Sequence, residues 1–266
     1  MNVVVCISCM HQHDVSIVTR TRVQTDAVVV NQCDKNETEE YDFVNDMGKV
    51  CHVKFISTTQ RGLSKSRNMA IDNAEGDICL ICDDDEELCN DYEQTILSGY
   101  DLYRAADLLM FDIDRKDRTA HIATSGEGEV TFRGILRTSS LQISFKKKSI
   151  VQKGVRFDEM MGSGTGNGAG EENKFLLDCR RAGLKLFSHS HLIGTVSNDG
   201  KSQWFGGFNE KYFRNRGWEY RRWGGFVVGY LYLWYNTLTH FRAESADGIG
   251  LLSQLQLKHR GFFEKR

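Results

Sequence analysis

The 266-residue chain contains no proline. No helix start, stop or turn can be marked by that residue, so the 25 glycines must punctuate the chain. A secretion signal is also missing. The opening MNVVVCISCM has neither a basic start nor a long apolar stretch, which is read as a cytoplasmic setting. An excess of one charge is absent too, with 34 Lys and Arg against 36 Asp and Glu. That balance argues against wholesale nucleic-acid binding, though not against a local basic patch. The eight cysteines are too few for a disulfide scaffold in a chain this long, and most sit in apolar runs such as CISC and CLIC. They read as buried, reduced thiols. Cys6-x-x-Cys9 and Cys79-x-x-Cys82 have zinc-like spacing. Each pair begins inside an expected strand, however, where residues three apart point to opposite faces. The glycine-rich stretch matches neither G-x-x-x-x-G-K-[ST] nor G-x-G-x-x-G.

What is present suffices for one large domain or a domain with an appendage: 40% of the residues are hydrophobic. Val3 to Ile7, Ala27 to Val30, Val53 to Ile56 and Ile78 to Cys82 are short apolar, mostly β-branched runs. Such runs suit central strands buried on both faces. Between the last two, Ser64 to Ala74 reads as a helix, capped by Ser64 and stopped by Gly76. Strand-helix-strand order predicts an α/β fold with a mostly parallel sheet over roughly the first 110 residues. Residues 112–134 change character, and Val130 to Phe132 and Leu141 to Phe145 read as antiparallel or irregular structure at the sheet edge. Gly162 to Gly170, GSGTGNGAG, has glycine at alternate positions throughout and is expected to be a mobile loop. A helix is expected from Glu171, with Phe175, Cys179 and Ala182 on one face and Gly183 as its stop.

Three constellations carry chemistry. Asp83-Asp84-Asp85-Glu86 directly follows an apparent buried strand. Ligands of open α/β sheets bind beyond strand carboxyl ends. Packed carboxylates need a cation, and Mg²⁺ or Mn²⁺ bound with substrate phosphates is one solution; a solvated acidic loop is the other reading. Arg61-Gly62-Leu63-Ser64-Lys65-Ser66-Arg67-Asn68 could hold a diphosphate at a helix start, or be a basic exposed turn. Glu171-Glu172 could supply a general base, or merely favour the helix dipole.

Taken in order, these pieces resemble a family 2 glycosyltransferase of the type that builds bacterial capsule or surface polysaccharide. The resemblance covers roughly residues 3–195. Gly62-Leu63-Ser64-x-x-Arg67-Asn68 matches the family's Gly-Leu-Ser-x-x-Arg-Asn, and Asp83-Asp84-Asp85 falls on its Asp-x-Asp motif. Phe157-Asp158-Glu159, Gly162 and Glu171-Glu172 follow its phenylalanine-aspartate, glycine and Glu-Asp passage, with Glu172 where the family has aspartate. The resemblance implies a GT-A fold with a C-terminal helical extension. It implies a catalytic domain over 1–200, with a nucleotide-sugar-binding half (1–110) and an acceptor-side half (111–200); the aromatic and basic composition of 201–266 reads as a helical extension. The resemblance places Asp34, Gln32, Arg61, Arg67, Asp83 and Asp84 at the donor, with Asn31 nearby, and Asp85 with Asp83 at Mn²⁺ or Mg²⁺. Glu172, with Glu171 as the alternative, becomes the base for inverting transfer from a uridine diphosphate sugar to a saccharide acceptor, lipid-linked in such pathways. Trp204 and Trp218 fall on the acceptor side. A metal-dependent nucleotidyltransferase or hydrolase, and a non-catalytic nucleotide-sugar-binding protein, are the alternatives.

The last third adds a setting. Lys211, Arg214, Arg216, Arg221 and Arg222 interleave with Tyr212, Phe213, Trp218, Tyr220 and Trp223, which suits peripheral contact with an anionic membrane. Trp223 to Phe241 lacks Asp, Glu, Lys and Arg. It admits three readings: a spanning helix, a buried helix or homodimer contact, and a helix lying on the membrane surface.

Overall fold

The computed structural model describes residues 1–115, 122–124, 126–197, 206–244 and 248–266. The four apolar runs form β1 (Val3–Met10), β2 (Asp26–Gln32), β4 (Val50–Thr58) and β5 (Ile78–Asp83). β4, β2, β1 and β5 lie side by side and parallel, so Thr58, Gln32, Met10 and Asp83 come to one edge of the sheet. β3 (Glu37–Val44) closes one side antiparallel to β4. On the other side come β9 (Ile143–Lys146), β7 (Leu108–Arg115), β10 (Leu186–Val196) and β6 (Glu86–Leu88), while β8 (Gly128–Glu129) pairs with β10. Among the described residues the sheet thus has ten strands and is mixed: β4, β2, β1 and β5 run parallel, as the sequence pattern predicts for the first 110 residues, and β7 and β10 form a second parallel pair.

Strand alternation splits the core cleanly. Val4, Cys6, Val28, Val30, Cys79 and Ile81 face one side, under α2 (Leu63–Asn73) and α6 (Glu171–Arg181). Val3, Val5, Ile7, Cys9, Leu80 and Cys82 face the other, under α1 (Ser16–Arg20) and α3 (Tyr92–Leu102). The cysteines of each C-x-x-C therefore lie on opposite faces, and all eight are free thiols.

Two expected helix signals are corrected. Ser64 does not cap α2; Gly62 occupies that position, and the Ser64 hydroxyl donates to Met161 O at 2.8 Å. Gly76 is not the stop either, for α2 ends at Asn73. Its backbone instead passes so close to β1 that a Cβ would lie 2.4 Å from Val4 Cγ2. Val130 to Phe132 is irregular, one of its two expected readings, with β8 before it and α4 (Phe132–Ile135) beginning at its end, whereas Leu141 to Phe145 leads into β9, which lies between β5 and β7 and not at the sheet edge. α5 (Lys147–Lys153) follows β9.

The extension consists of α7 (Glu210–Glu244) and α8 (Leu251–Phe263). α7 is broken at Gly225, whose φ of 67° and ψ of −163° are not helical. α8 lies directly on the first part of α7. A Cβ on Gly217 would fall 1.8 Å from Lys258 O, and one on Gly261 equally close to Arg214 O. No helix among the described residues is long and apolar enough to cross a membrane.

Candidate active site

Arg67 is the centre of the site, and its side chain is wholly buried. Its Nη1 donates to Glu171 Oε1 at 2.9 Å, and Nη2 to Asp83 Oδ1 at 3.0 Å and Oδ2 at 3.2 Å. One guanidinium thus ties the end of β5 to the start of α6. Burial opposes its charge, but Asp83, Glu171 and Glu172 more than offset this and raise its pKa. The sequence reading placed Arg67 on the donor's phosphates. The structure turns it inward instead, between two carboxylates.

The rest of the Gly-Leu-Ser-x-x-Arg-Asn segment also serves as an anchor. Asn68 donates to Phe157 O at 3.0 Å and accepts from Phe157 N at 2.9 Å. Leu63 N donates to Ser163 O at 2.9 Å. Every motif that the resemblance used from residue 157 onward is therefore docked on α2. The glycine loop takes part in this docking. Gly162 N bonds Gly168 O, and Asn215 Nδ2 on α7 donates to Gly166 O at 3.2 Å. A Cβ on Gly170, at φ 93°, would meet Glu219 Oε1 at 2.3 Å. The alternating glycines adopt left-handed φ values, and Gly162, Gly164 and Gly170 stand in close contacts that a larger residue would crowd.

Glu171 and Glu172 open α6 but differ in setting. Glu171 is 5% exposed and held by Arg67. Glu172 is half-buried and takes part in no ion pair among the described residues. Burial, and then the adjacent Glu171, push its pKa well above the usual carboxylate range. Such a group gains a proton readily and sits within an ionic framework that fixes its helix.

The acidic run spreads out. Both Asp83 oxygens accept from Arg67, which departs from the expected role as a metal ligand. Asp84 is half-buried, and burial followed by Asp83 raises its pKa. Asp85 is exposed, and its main-chain oxygen accepts from Ser197 N at 2.9 Å. Glu86 is 1% exposed, and neither carboxylate oxygen has a hydrogen-bond partner. An exposed aspartate beside buried, uncompensated carboxylate oxygens is chemistry that suits a hard divalent cation. Even so, the one trio of metal-ligand atoms close together among the described residues is Glu127, His189 and His191, not the aspartates.

Near the end of β2, Arg61 Nη2 pairs with Asp34 Oδ1 at 2.7 Å. Asn31 and Gln32 are buried and used internally. Asn31 Nδ2 donates to Gln12 O at 2.9 Å, and Gln32 Oε1 accepts from Gly62 N at 2.7 Å. Trp218 is 4% exposed, with Arg222 and Arg266 over its ring at 5.1 and 5.3 Å, so it is not an open sugar platform. Trp204 lies outside the described residues. Sequence reasoning missed Glu219, which accepts two bonds from Arg216 at 2.8 Å, and the pairing of Asp158 with Arg222 at 2.6 Å. The signal for the first was the three-residue helical spacing of Arg216 and Glu219. The Asp158 contact spans 64 residues and left none.

The glycosyl transferase family 2 model matches residues 15–126. No curated protein matches the chain in sequence. Among solved structures, S. aureus TarS 1–349 superposes with a TM-score of 0.58 at 14% identity, covering 84% of this chain and 65% of TarS 1–349. The same fragment in complex with UDP-GlcNAc gives 0.59 at 15% identity, over 84% of this chain and 66% of that one. Its complex with UDP gives 0.59 at 14% identity, over 94% and 74%. The chain spans only 39% of the longer TarS structure. The chain therefore shares the GT-A fold of the TarS structures and resembles family 2 glycosyltransferases over residues 15–126.

Proposed function

We propose that the chain is an inverting glycosyltransferase that moves a sugar from a nucleoside diphosphate sugar to a saccharide hydroxyl. The observation that carries this reading is the Asp83–Arg67–Glu171 bridge, which sets the acidic strand end and the Glu172 helix at one site. Glu172 accepts the proton of the acceptor hydroxyl. The oxygen attacks the anomeric carbon, the bond from that carbon to the diphosphate oxygen breaks, and the nucleoside diphosphate leaves with both electrons. Transfer needs no covalent intermediate and no second carboxylate in the reaction. Mn²⁺ or Mg²⁺ held by Asp85 and the donor's diphosphate would offset charge on the leaving group. Glu171 and Arg67 are positioning residues, because each acts through Asp83 or the helix that bears Glu172.

The donor is a uridine diphosphate sugar, supported by the TarS folds that hold UDP and UDP-GlcNAc. The acceptor is a saccharide on a lipid diphosphate in surface polysaccharide synthesis, which follows from the family resemblance. The test is Glu172→Gln. Transfer should fall at least ~100-fold while calorimetric binding of UDP persists, since the base touches the acceptor and not the phosphates. Normal transfer in Glu172→Gln, with loss in Glu171→Gln alone, would overturn the assignment.

A further inference from the structure

The second end of the sheet holds a cluster that the transfer reaction does not use. Glu127 comes from the segment before β8, and His189 and His191 from β10. One ligand atom from each lies within 4.8 Å of the other two. His189 Nδ1 stands 3.2 Å from Glu127 Oε2. The two imidazoles stack with centroids 3.9 Å apart at 25°. We propose that Glu127, His189 and His191 bind a divalent transition-metal ion of the Zn²⁺ type, which clips the segment before β8 to β10.

Four features support a metal rather than an ordinary polar contact. The donor set is two imidazoles and a carboxylate, which suits a borderline ion and not a hard, all-oxygen one. Tetrahedral zinc with bonds of roughly 2.0–2.1 Å places its ligand atoms about 3.3 Å apart, close to the His189–Glu127 separation. His191 is exposed, so its ring can turn the remaining distance inward at the cost only of its stacking on His189. The carboxylate is also oriented beforehand. Tyr103 Oη donates to Glu127 Oε2 at 2.7 Å, and Ser190 N donates to Oε1 at 2.7 Å. Such outer contacts fix ligand geometry at metal sites.

Local structure explains how the two histidines meet. The β10–β7 register shifts between His189 and Leu192, and such irregularities re-aim side chains. His189 packs its ring edge to Phe111 and Tyr103, which holds it in place under α3. The site is separate from the acidic run. Asp85 is bonded at Ser197, just past the end of β10 where Val196 pairs with Glu86, whereas His189 and His191 lie in the middle of that strand.

The probe is Co²⁺ added to the full chain after removal of metals by chelation. One equivalent should give the visible absorption of a tetrahedral N/O site, and Zn²⁺ should displace it and raise the thermal midpoint. His191→Gln and Glu127→Gln should each weaken binding by roughly 100-fold, and Asp85→Asn should leave it unchanged. His191 is exposed, so its variant should keep the wild-type circular dichroism. Absence of the spectrum in wild type would overturn the proposal, as would a spectrum that survives both variants or is lost only in Asp85→Asn.

Discussion

Glu172 sits one residue beyond a carboxylate already committed to Arg67, and this neighbour governs its chemistry. Burial and the Glu171 charge both favour its neutral form. As a base it works ionised, so transfer should fail as the pH drops through its raised value. The acid limb of the rate should lie well above the ~4.3 of an ordinary glutamate. Stability runs the opposite way. The folded state keeps this proton where the unfolded chain has lost it, so its contribution is full below the unfolded value and is lost as pH rises through the folded one. Glu171→Gln removes the like charge and leaves Arg67 in place. The acid limb of kcat against pH should therefore move to lower pH, even where the total rate falls with the helix less firmly held. A limb that stays fixed in Glu171→Gln would show that Glu171 does not set the base. Whether Glu171 or Glu172 is free was not legible in the sequence, because nothing in adjacent letters says which one a distant arginine will hold.

At the scale of elements, the glycine loop and α7 act together. Gly170 combines a left-handed φ of 93° with the Glu219 carboxylate where a Cβ would sit. Arg216 holds that carboxylate by two bonds, so it cannot easily yield. Gly170→Ala should cost ~2–5 kcal/mol, from backbone strain and overpacking together. Gly166, at φ 77°, has open space around its Cβ position, and its alanine variant should cost only about 1–2 kcal/mol. Urea unfolding of both variants measures the difference, and equal losses would mean that the Glu219 contact is unimportant. α7 also revises the membrane argument. Arg216 and Arg222 are used by Glu219 and Asp158, so the basic-aromatic sequence does not form one solvated patch. After the break at Gly225 the helix instead exposes Val227, Leu231, Trp234, Tyr235 and Leu238. Their spacing of four, three, one and three puts them on one stripe, and Leu233 and Asn236 face inward. This is the profile of a helix with one packed and one apolar outer face, between the buried and surface readings of the sequence. If the stripe contacts a membrane, wild type should float with anionic liposomes and Leu231→Ser/Trp234→Ser should not. Wild type remaining in solution at low salt would remove direct lipid contact from the proposed function.

For the whole molecule, legibility followed burial. β1, β2 and β5 stood out because both faces are covered, which favours apolar letters at almost every position, while β4 showed only its apolar residues, since Val50 and His52 are exposed. β3 was invisible, since an edge strand with sequence ETEEYDFV is mostly exposed and carries its pairing in the backbone. The site's parts were legible in order along the chain, but the inward turn of Arg67 and the use of Gln32 by Gly62 depend on contacts across 104 and 30 residues. That difference bears on the donor. With Asn31 and Gln32 tied into the chain, the proposed nucleobase contact falls to Asp34 and Arg61, which pair just beyond the end of β2. Asp34 has an almost fully exposed side chain, so it can reach a base edge or ribose without breaking the core. Uridine diphosphate with Mn²⁺ should therefore raise the thermal midpoint more than guanosine diphosphate does, and Asp34→Ala should shrink the uridine shift while leaving the unliganded midpoint nearly unchanged. A larger shift with guanosine diphosphate would overturn the choice of base. An unchanged uridine shift in Asp34→Ala would move recognition away from this rim and onto the main chain around Gln12, which Asn31 holds in place.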